Sequence, residues 1–214
     1  MDTTNQFRPR ETYHHGDLRR ALLEAGIELA RRGGPDAVVL REATRRAGVV
    51  PNAAYRHFAS RDALLQAVRS AALAELALAM EREVIRQRRG RRGADAARAG
   101  LRAIGTAYLR FAQAEPGLFR TGFAVPGEPE TTTNDPAMAG KTGLNPFQLL
   151  STALDALVAE GVLPAERRSG AEYLAWSAVH GLAMLVLEGP LRRFTRAEAR
   201  QIEQRLLEMV ENGL

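Results

Sequence analysis

Between Val38 and Leu65 the chain concentrates side chains suited to recognition by hydrogen bonding and charge. Asn52, Tyr55, Arg56 and His57 follow closely on Arg41, Arg45 and Arg46 and precede Arg61. The stretch holds two short helical patterns separated by Gly48, a combination that suits a helix lying in a DNA groove while its other face closes a small core. Val49, Ala54 and Phe58 can pack inward on Leu40 and Leu22, which leaves Asn52, Ala53, Tyr55, Arg56 and His57 outside. Gly48 stands where the chain must leave a helix sharply, a position that often needs positive φ. The second helix is only about two turns long, so packing rather than propensity must hold it.

Catalytic patterns are missing. There is no cysteine, no Gly-x-Ser-x-Gly elbow, no His-Glu-x-x-His and no phosphate loop. His180, Asp155 and Glu188 are the acid–base candidates that remain, and nothing in their spacing fixes a geometry. No enzyme, cofactor or metal site is expected. The N-terminus lacks the apolar run of a secretory signal, and no stretch of ~18 consecutive apolar residues is present to span a bilayer, so a soluble cytoplasmic protein is expected.

The formal charge of the 214 residues is +5, and its distribution says more than its sum. Residues 1–70 hold twelve arginines against eight acidic residues, whereas residues 71–214 are nearly balanced, eighteen against seventeen. His14, His15 and His57 add to the basic end. A footprint confined to the first third fits a DNA-binding head on a near-neutral body. Of the thirty basic residues only Lys141 is a lysine, for which genomic codon bias is a sufficient explanation.

The elements that must position these residues read as helices throughout. A polar arm over 1–16 carries Arg8 and Arg10, placed either to reach a minor groove or to form a disordered tail. A first helix is predicted at about 17–32, capped by Asp17, with Leu18, Leu22, Ala25 and Leu29 on one face, and it stops at Gly33-Gly34-Pro35. Helices follow at about 40–47 and 51–57, the latter opened by Pro51. Ser60 caps a long helix over about 61–88, with Leu64, Val68, Ala72, Leu76 and Met80 at four-residue steps. Beyond the turn at Arg88–Gly93, further helices are predicted at about 95–114, 117–122, 144–160, 170–188 and 195–212. Residues 123–143, rich in Pro, Gly and Thr, read as a loop. No segment alternates in polarity as a strand would, so the fold class is all-α, with about nine helices.

On these residues the chain resembles the N-terminal domain of TetR/AcrR-type transcriptional regulators. Ala47-Gly48-Val49, Tyr55-Arg56-His57-Phe58 and Ser60-Arg61-Asp62-Ala63-Leu64-Leu65 carry the likeness, which covers residues 13–69. It implies that Tyr55 and His57 contact phosphate oxygens, that Arg61 faces the DNA backbone, and that Arg41 reaches a phosphate or base edge. Asn52 and Ala53 lie at the start of the recognition helix. Asparagine can bond adenine and an alanine methyl can meet a thymine methyl, with ~1–3 kcal/mol of discrimination per good bidentate pair. The bland readings stand beside these: Tyr55 closing the head's core, His57 merely solvated, and Arg45, Arg46 and Arg56 no more than a charged face. Val39 and Val50 depart from the family's Thr and Ser caps, which leaves the amides of two helix starts to other partners.

Later, Trp176-Ser-Ala-Val-His180-Gly181 is similar to the Trp…His-Gly signature of one TetR C-terminal domain type, and Glu115-Pro116-Gly117-Leu118 to the family's acidic-Pro-x-Leu helix start. The resemblance implies a head at 17–60 and an effector-binding and dimerisation domain at 61–214. Residues 170–188 are apolar on nearly every side and must be buried on nearly every side, so with 195–212 they are expected to form a four-helix homodimer interface. A two-fold dimer matches a palindromic operator with half-sites ~34–36 Å apart. An effector cavity is expected among Leu76, Met80, Ile104, Tyr108, Phe111, Phe119, Phe147, Leu150, Trp176 and His180, each of which could equally be ordinary core. For His180 the packing role is preferred to ligand contact. The expected function is that of a repressor released from double-stranded operator DNA by an apolar small-molecule effector whose identity is unknown. The alternatives are a sequence-indifferent architectural DNA binder, disfavoured by the weak charge excess, and an enzyme with a helical body.

Overall fold

The computed structural model describes residues 15–124 and 135–214. Arg8 and Arg10 of the expected arm, and residues 125–134 of the expected loop, lie outside that range. The described residues form nine α-helices and no strand: α1 (His15–Gly33), α2 (Leu40–Arg46), α3 (Pro51–Ala54), α4 (Arg61–Arg88), α5 (Gly93–Ala114), α6 (Pro116–Phe123), α7 (Pro146–Ala159), α8 (Ala171–Leu187) and α9 (Arg196–Gly213). The all-α expectation is met, with boundaries mostly within two residues of the periodic pattern.

Three local expectations are corrected. Helix α1 begins at His15, so Asp17 lies inside its first turn rather than capping it. Helix α3 ends at Ala54, three residues early, because the amides of His57 and Phe58 both bond to the Ala54 carbonyl at 2.9 Å and close a turn instead. Part of the expected loop is ordered: Asp135 Oδ1 accepts from the Ala137 amide and starts a 3-10 turn over Pro136–Met138, which buries Met138.

Helix α4 organises the molecule. The Ser60 hydroxyl accepts from the Ala63 amide at 3.1 Å, as the cap signal predicts. Its buried stripe runs Leu64, Val68, Ala72, Leu76 and Met80. Near its start α1 crosses closely, since a Cβ on Gly26 would lie 2.7 Å from Val68 Cγ2. Further along, α5, α6 and α7 pack on it, and α8 and α9 pack on α5. Contrary to the expectation of no spanning-length stretch, an 18-residue window of α4 averages 1.4 in hydropathy; 56% of it is buried inside the protein, as a core helix requires.

Charged groups tie the layers together. From the end of α1, Arg31 donates to Glu75 of α4 at 3.0 Å and to Glu115 at the α5–α6 corner at 2.9 Å. Buried Glu81 of α4 accepts from the Lys141 and Thr142 amides at 2.9 and 2.8 Å, which fastens the segment before α7. Glu83 accepts from Arg86 and Gln87 on its own helix and lies 3.3 Å from Arg110 of α5. The Arg86 hydrogen bond, aided by Gln87 and Arg110, holds the Glu83 carboxyl down at about 2.

Two predictions follow from this packing. A carboxyl depressed in the folded state stabilises fully above its unfolded value and progressively less as pH falls toward its folded one. Acid unfolding followed by circular dichroism should therefore lose the Glu83 contribution between about pH 4.5 and 2, and Glu83→Gln should flatten that limb. At the α1–α6 contact, a Cβ on Gly117 would lie 2.2 Å from the Ala30 carbonyl oxygen and 2.5 Å from that of Arg31. Gly117→Ala should cost about 1–3 kcal/mol in urea unfolding, the usual penalty for overpacking.

Candidate nucleic-acid interface and body cavity

The head is built on Leu18, Leu22, Leu40, Ala43, Ala54 and Phe58, all buried, with Leu64 and Val68 of α4 beneath them. Gly48 has φ +69°, the left-handed value its place after α2 requires. Beyond it the Val49 amide bonds back to the Thr44 carbonyl at 3.1 Å, and the chain turns into α3. No side chain caps α2 at Val39.

On the outer side, Arg41, Asn52 and Arg56 are exposed and Tyr55 is 56% exposed, so Tyr55 does not close the core. Asn52 and Tyr55 have no side-chain hydrogen-bond partner among the described residues. Ala53, inside α3, and His57, in the turn whose amide bonds back to the Ala54 carbonyl, are half-buried and so less open than expected. Val50 stands 69% exposed at the entry to α3, which sets an apolar side chain beside the polar set.

The basic residues divide into committed and open ones. Arg45 and Arg46 both donate to Glu42, at 2.7 and 3.0 Å, and these hydrogen bonds hold the Glu42 carboxyl at about 2. Arg61 donates through Nε to the Val38 carbonyl and through Nη2 to that of Pro35, both at 2.9 Å. It thereby clamps the α1–α2 connection onto the start of α4, a structural task the sequence did not reveal. Arg41 has no acidic partner among the described residues.

In the body, a narrow, mainly apolar cavity of about 40 Å³ lies between α4, α5, α6, α7, α8 and α9. That is far below the roughly 300–1,000 Å³ of a pocket holding a drug-sized ligand. Of the ten expected lining residues, Met80, Ile104, Tyr108, Phe147, Leu150 and Trp176 line it. Leu76, Phe111, Phe119 and His180 do not: Leu76 and Phe119 are fully packed core, Phe111 faces a separate hollow between α4 and α5, and His180 stands behind the aromatic wall. Residues missed in the sequence include Leu101, Phe123, Val179, Leu207 and Val210. The available signal was Gly105 in mid-helix: a Cβ there would meet Leu207 Cδ2 at 2.4 Å, so α9 comes in close at that point.

An aromatic wall joins the cavity to α6. Phe123 packs at 5.1 Å from His180 and 6.1 Å from Trp176, and Phe119 stacks on His180 at 5.7 Å. Trp176 Nε1 donates to the Tyr108 oxygen at 3.2 Å, and that hydroxyl bonds His180 Nδ1 at 2.7 Å. Since indole only donates, the phenol proton is free to go to Nδ1, which leaves the imidazole proton on Nε2. Burial lowers the His180 pKa, so the ring stays neutral at neutral pH. This bonding supports the preferred packing role.

A helix-turn-helix head with an exposed amide, phenol and arginines, set on a helical body, defines a DNA-binding transcription regulator rather than an enzyme. Residues 22–68 match the bacterial regulatory proteins of the tetR family, and residues 101–210 match the tetracyclin repressor-like C-terminal domain. The chain belongs to the TetR family. Among solved structures it is similar to a protein of unknown function from Rhodococcus sp. RHA1, at 26% identity and TM-score 0.72, covering 96% of this chain and 99% of that one. A candidate tetR family transcription regulator from Shewanella sp. PV-4 aligns at 19% identity and TM-score 0.60, over 89% and 95% of the two chains. The transcriptional regulator FadR from Bacillus subtilis, in complex with stearoyl-CoA, aligns at 12% and TM-score 0.65, over 91% and 98%. No curated protein matches the sequence.

Tyr108→Phe tests the aromatic wall. It removes the link between Trp176 and His180 and leaves a partly buried indole N–H without its partner, so it should cost about 1 kcal/mol in thermal or urea unfolding and shift Trp176 emission.

Proposed function

We propose that this regulator is a homodimeric repressor, released from a palindromic operator in the cytoplasm when an apolar small molecule enters the body. The head at 17–60 reads DNA: Asn52 and Ala53 meet base edges, Tyr55, His57 and Arg61 meet phosphates, and Arg41 reaches a phosphate or base edge. Arg61 holds Nε and Nη2 on carbonyls and has Nη1 3.7 Å from Asp62 Oδ1, outside hydrogen-bond distance, so Nη1 is the nitrogen that would turn to a phosphate. The body at 61–214 supplies the effector site and the dimer contacts. The outward side of α8 supports the dimer: Tyr173, Leu174 and Leu185 are exposed, a Cβ on Gly181 would meet nothing within 4 Å, and Met209 of α9 is exposed as well. Such an apolar side is expected to be covered by a second copy across a two-fold axis.

The observation that carries the effector reading is the placement of α6. One side of it presents Phe119 and Phe123 to the aromatic wall at the cavity, and its first turn rests through Gly117 on the last carbonyls of α1. The cavity is small, so an occupant larger than a few atoms must displace Phe123 or its neighbours. That displacement moves α6 against the head, which is differential binding to two head positions rather than action at a distance. An apolar lining favours an apolar or aromatic ligand. The stearoyl-CoA complex of the structurally similar FadR supports a ligand site in a body of this fold.

Fragments selected from random DNA should contain an inverted repeat with half-sites about one turn apart. A Tyr55→Ala/His57→Ala protein should lose binding to that repeat by at least about a hundredfold, while sedimentation still reports a dimer. Loss of both properties together would sink the assigned division of labour. The single tryptophan, Trp176, reads the other half of the proposal: apolar aromatic compounds that quench it should also release the repeat, and quenching without release would refute the coupling.

A further inference from the structure

The last turn of α4 and its connection to α5 carry Arg86-Gln-Arg88-Arg89-Gly90-Arg91-Arg92, and every arginine there is exposed. We infer that this turn is a second nucleic-acid contact surface, one that grips the phosphate backbone of a DNA segment other than the one held by the head.

Availability of charge is the first argument. Arg86 is engaged by Glu83, but Arg88, Arg89, Arg91 and Arg92 have no acidic partner among the described residues. The head spends its cations differently: Arg45 and Arg46 are tied to Glu42, and Arg61 to backbone carbonyls. Residues 71–214 carry a net charge of only +1, so the four arginines here without an acidic partner leave the rest of that span at −3. Exposed Arg192, Arg193 and Arg196 form a second basic group in the body, but the four arginines around Gly90 stand closer together in the chain.

Geometry is the second. The Arg91 amide closes the turn on the Arg88 carbonyl at 3.0 Å, and Gly90 at φ +76° has nothing within 4 Å of a would-be Cβ. The backbone at the apex is open, and two arginines stand on either side of it. Duplex DNA carries one phosphate per ~1.7 Å of axis, so a compact group of guanidiniums meets several at once. Guanidinium binds phosphate through paired, planar hydrogen bonds, and short arginine-rich runs are a recurrent form of nucleic-acid patch. An anionic membrane would need bulky apolar side chains to insert, and Ile85 is the one exposed large apolar residue bordering the turn among the described residues.

Distance decides which DNA. The 28 residues of α4 separate the turn from the head, and at 1.5 Å per residue that is roughly 40 Å. Those side chains cannot reach a duplex seated on the head, so the segment they grip is a distant part of the same molecule or a second one. A regulator already bound to DNA meets such segments at raised local concentration. The activity that follows is bridging of two duplex segments.

The test uses the full-length dimer, a biotinylated 30-base-pair duplex on beads and a fluorescent 30-base-pair duplex of unrelated sequence in solution. Wild-type protein should carry the fluorescent duplex onto the beads. Arg88→Gln/Arg89→Gln/Arg91→Gln/Arg92→Gln should retain the protein on the bead duplex but lose at least about nine-tenths of the captured fluorescence. The corresponding four Arg→Lys changes should keep most of it. In a Tyr55→Ala/His57→Ala background, adding the four glutamines should make the slope of log affinity against log salt shallower by roughly 3–4, about 0.9 per phosphate contact. On unaltered protein, a duplex should protect these arginines from phenylglyoxal, read by mass spectrometry, which keeps the idea testable if the variant misfolds. Undiminished capture by the glutamine variant, or absence of protection, overturns the inference. Binding of phosphatidylserine vesicles in preference to duplex through the same arginines overturns it in favour of a membrane contact, and capture of an acidic polypeptide such as polyglutamate in preference to duplex overturns it in favour of a protein partner.

Discussion

Everything in this protein hangs on one continuous helix that belongs to two cores. Leu64, Leu65 and Val68 at the start of α4 complete the hydrophobic centre of the head, while Leu76 and Met80 further along belong to the body, and all of them fall in a single buried cluster. A regulator built this way has no slack joint between its DNA-binding head and its helical body. Any rearrangement of the body that tilts α4 or presses on its neighbours must move the recognition turn, because close-packed interiors shift as units rather than deform smoothly. The tight places reinforce this: Gly26 lets α1 lie on α4, and Gly117 lets α6 lie on the end of α1.

Charge is distributed in keeping with that rigidity. Several arginines that a sequence counts as available for DNA are structural: Arg31 bridges three acids across two helices, Arg61 locks the first connection, and Arg69 reaches the Gly122 carbonyl at the end of α6. What remains exposed on the head without a side-chain partner among the described residues is a smaller set that includes Arg41, Asn52, Tyr55 and Arg56. An arginine-rich protein thus commits much of its guanidinium to clamping carbonyls and carboxylates within the chain and leaves the rest exposed.

Much of this was legible residue by residue. The steps Leu64–Val68–Ala72–Leu76–Met80 predicted α4 to its ends, Ser60 its cap, and Gly48 the turn ahead of α3. The motif around Tyr55-Arg56-His57-Phe58 pointed to the family that the matches over 22–68 and 101–210 establish. The cavity was half legible. Tyr108 and Trp176 were named, but Phe123 was assigned to a loop and Leu207 only to a dimer face. The hydrogen bond from Trp176 to Tyr108 and on to His180 joins residues 68 and 72 positions apart in the chain. Likewise, residues 170–188 read as buried on all sides, yet one side of α8 is covered within the chain and the other stands open.

The division has a physical cause. Local periodicity, caps and left-handed glycines depend on neighbours a few residues away, so the order of helices, their ends and the recognition motif could be read from the chain alone. Which arginine meets a carboxylate, how far a cavity closes, and which side of an apolar helix finds a partner depend on helices that approach from distant parts of the chain. Those outcomes are set by where α5, α6 and α9 come to rest on α4 and on one another, and no interval in the sequence encodes that separation.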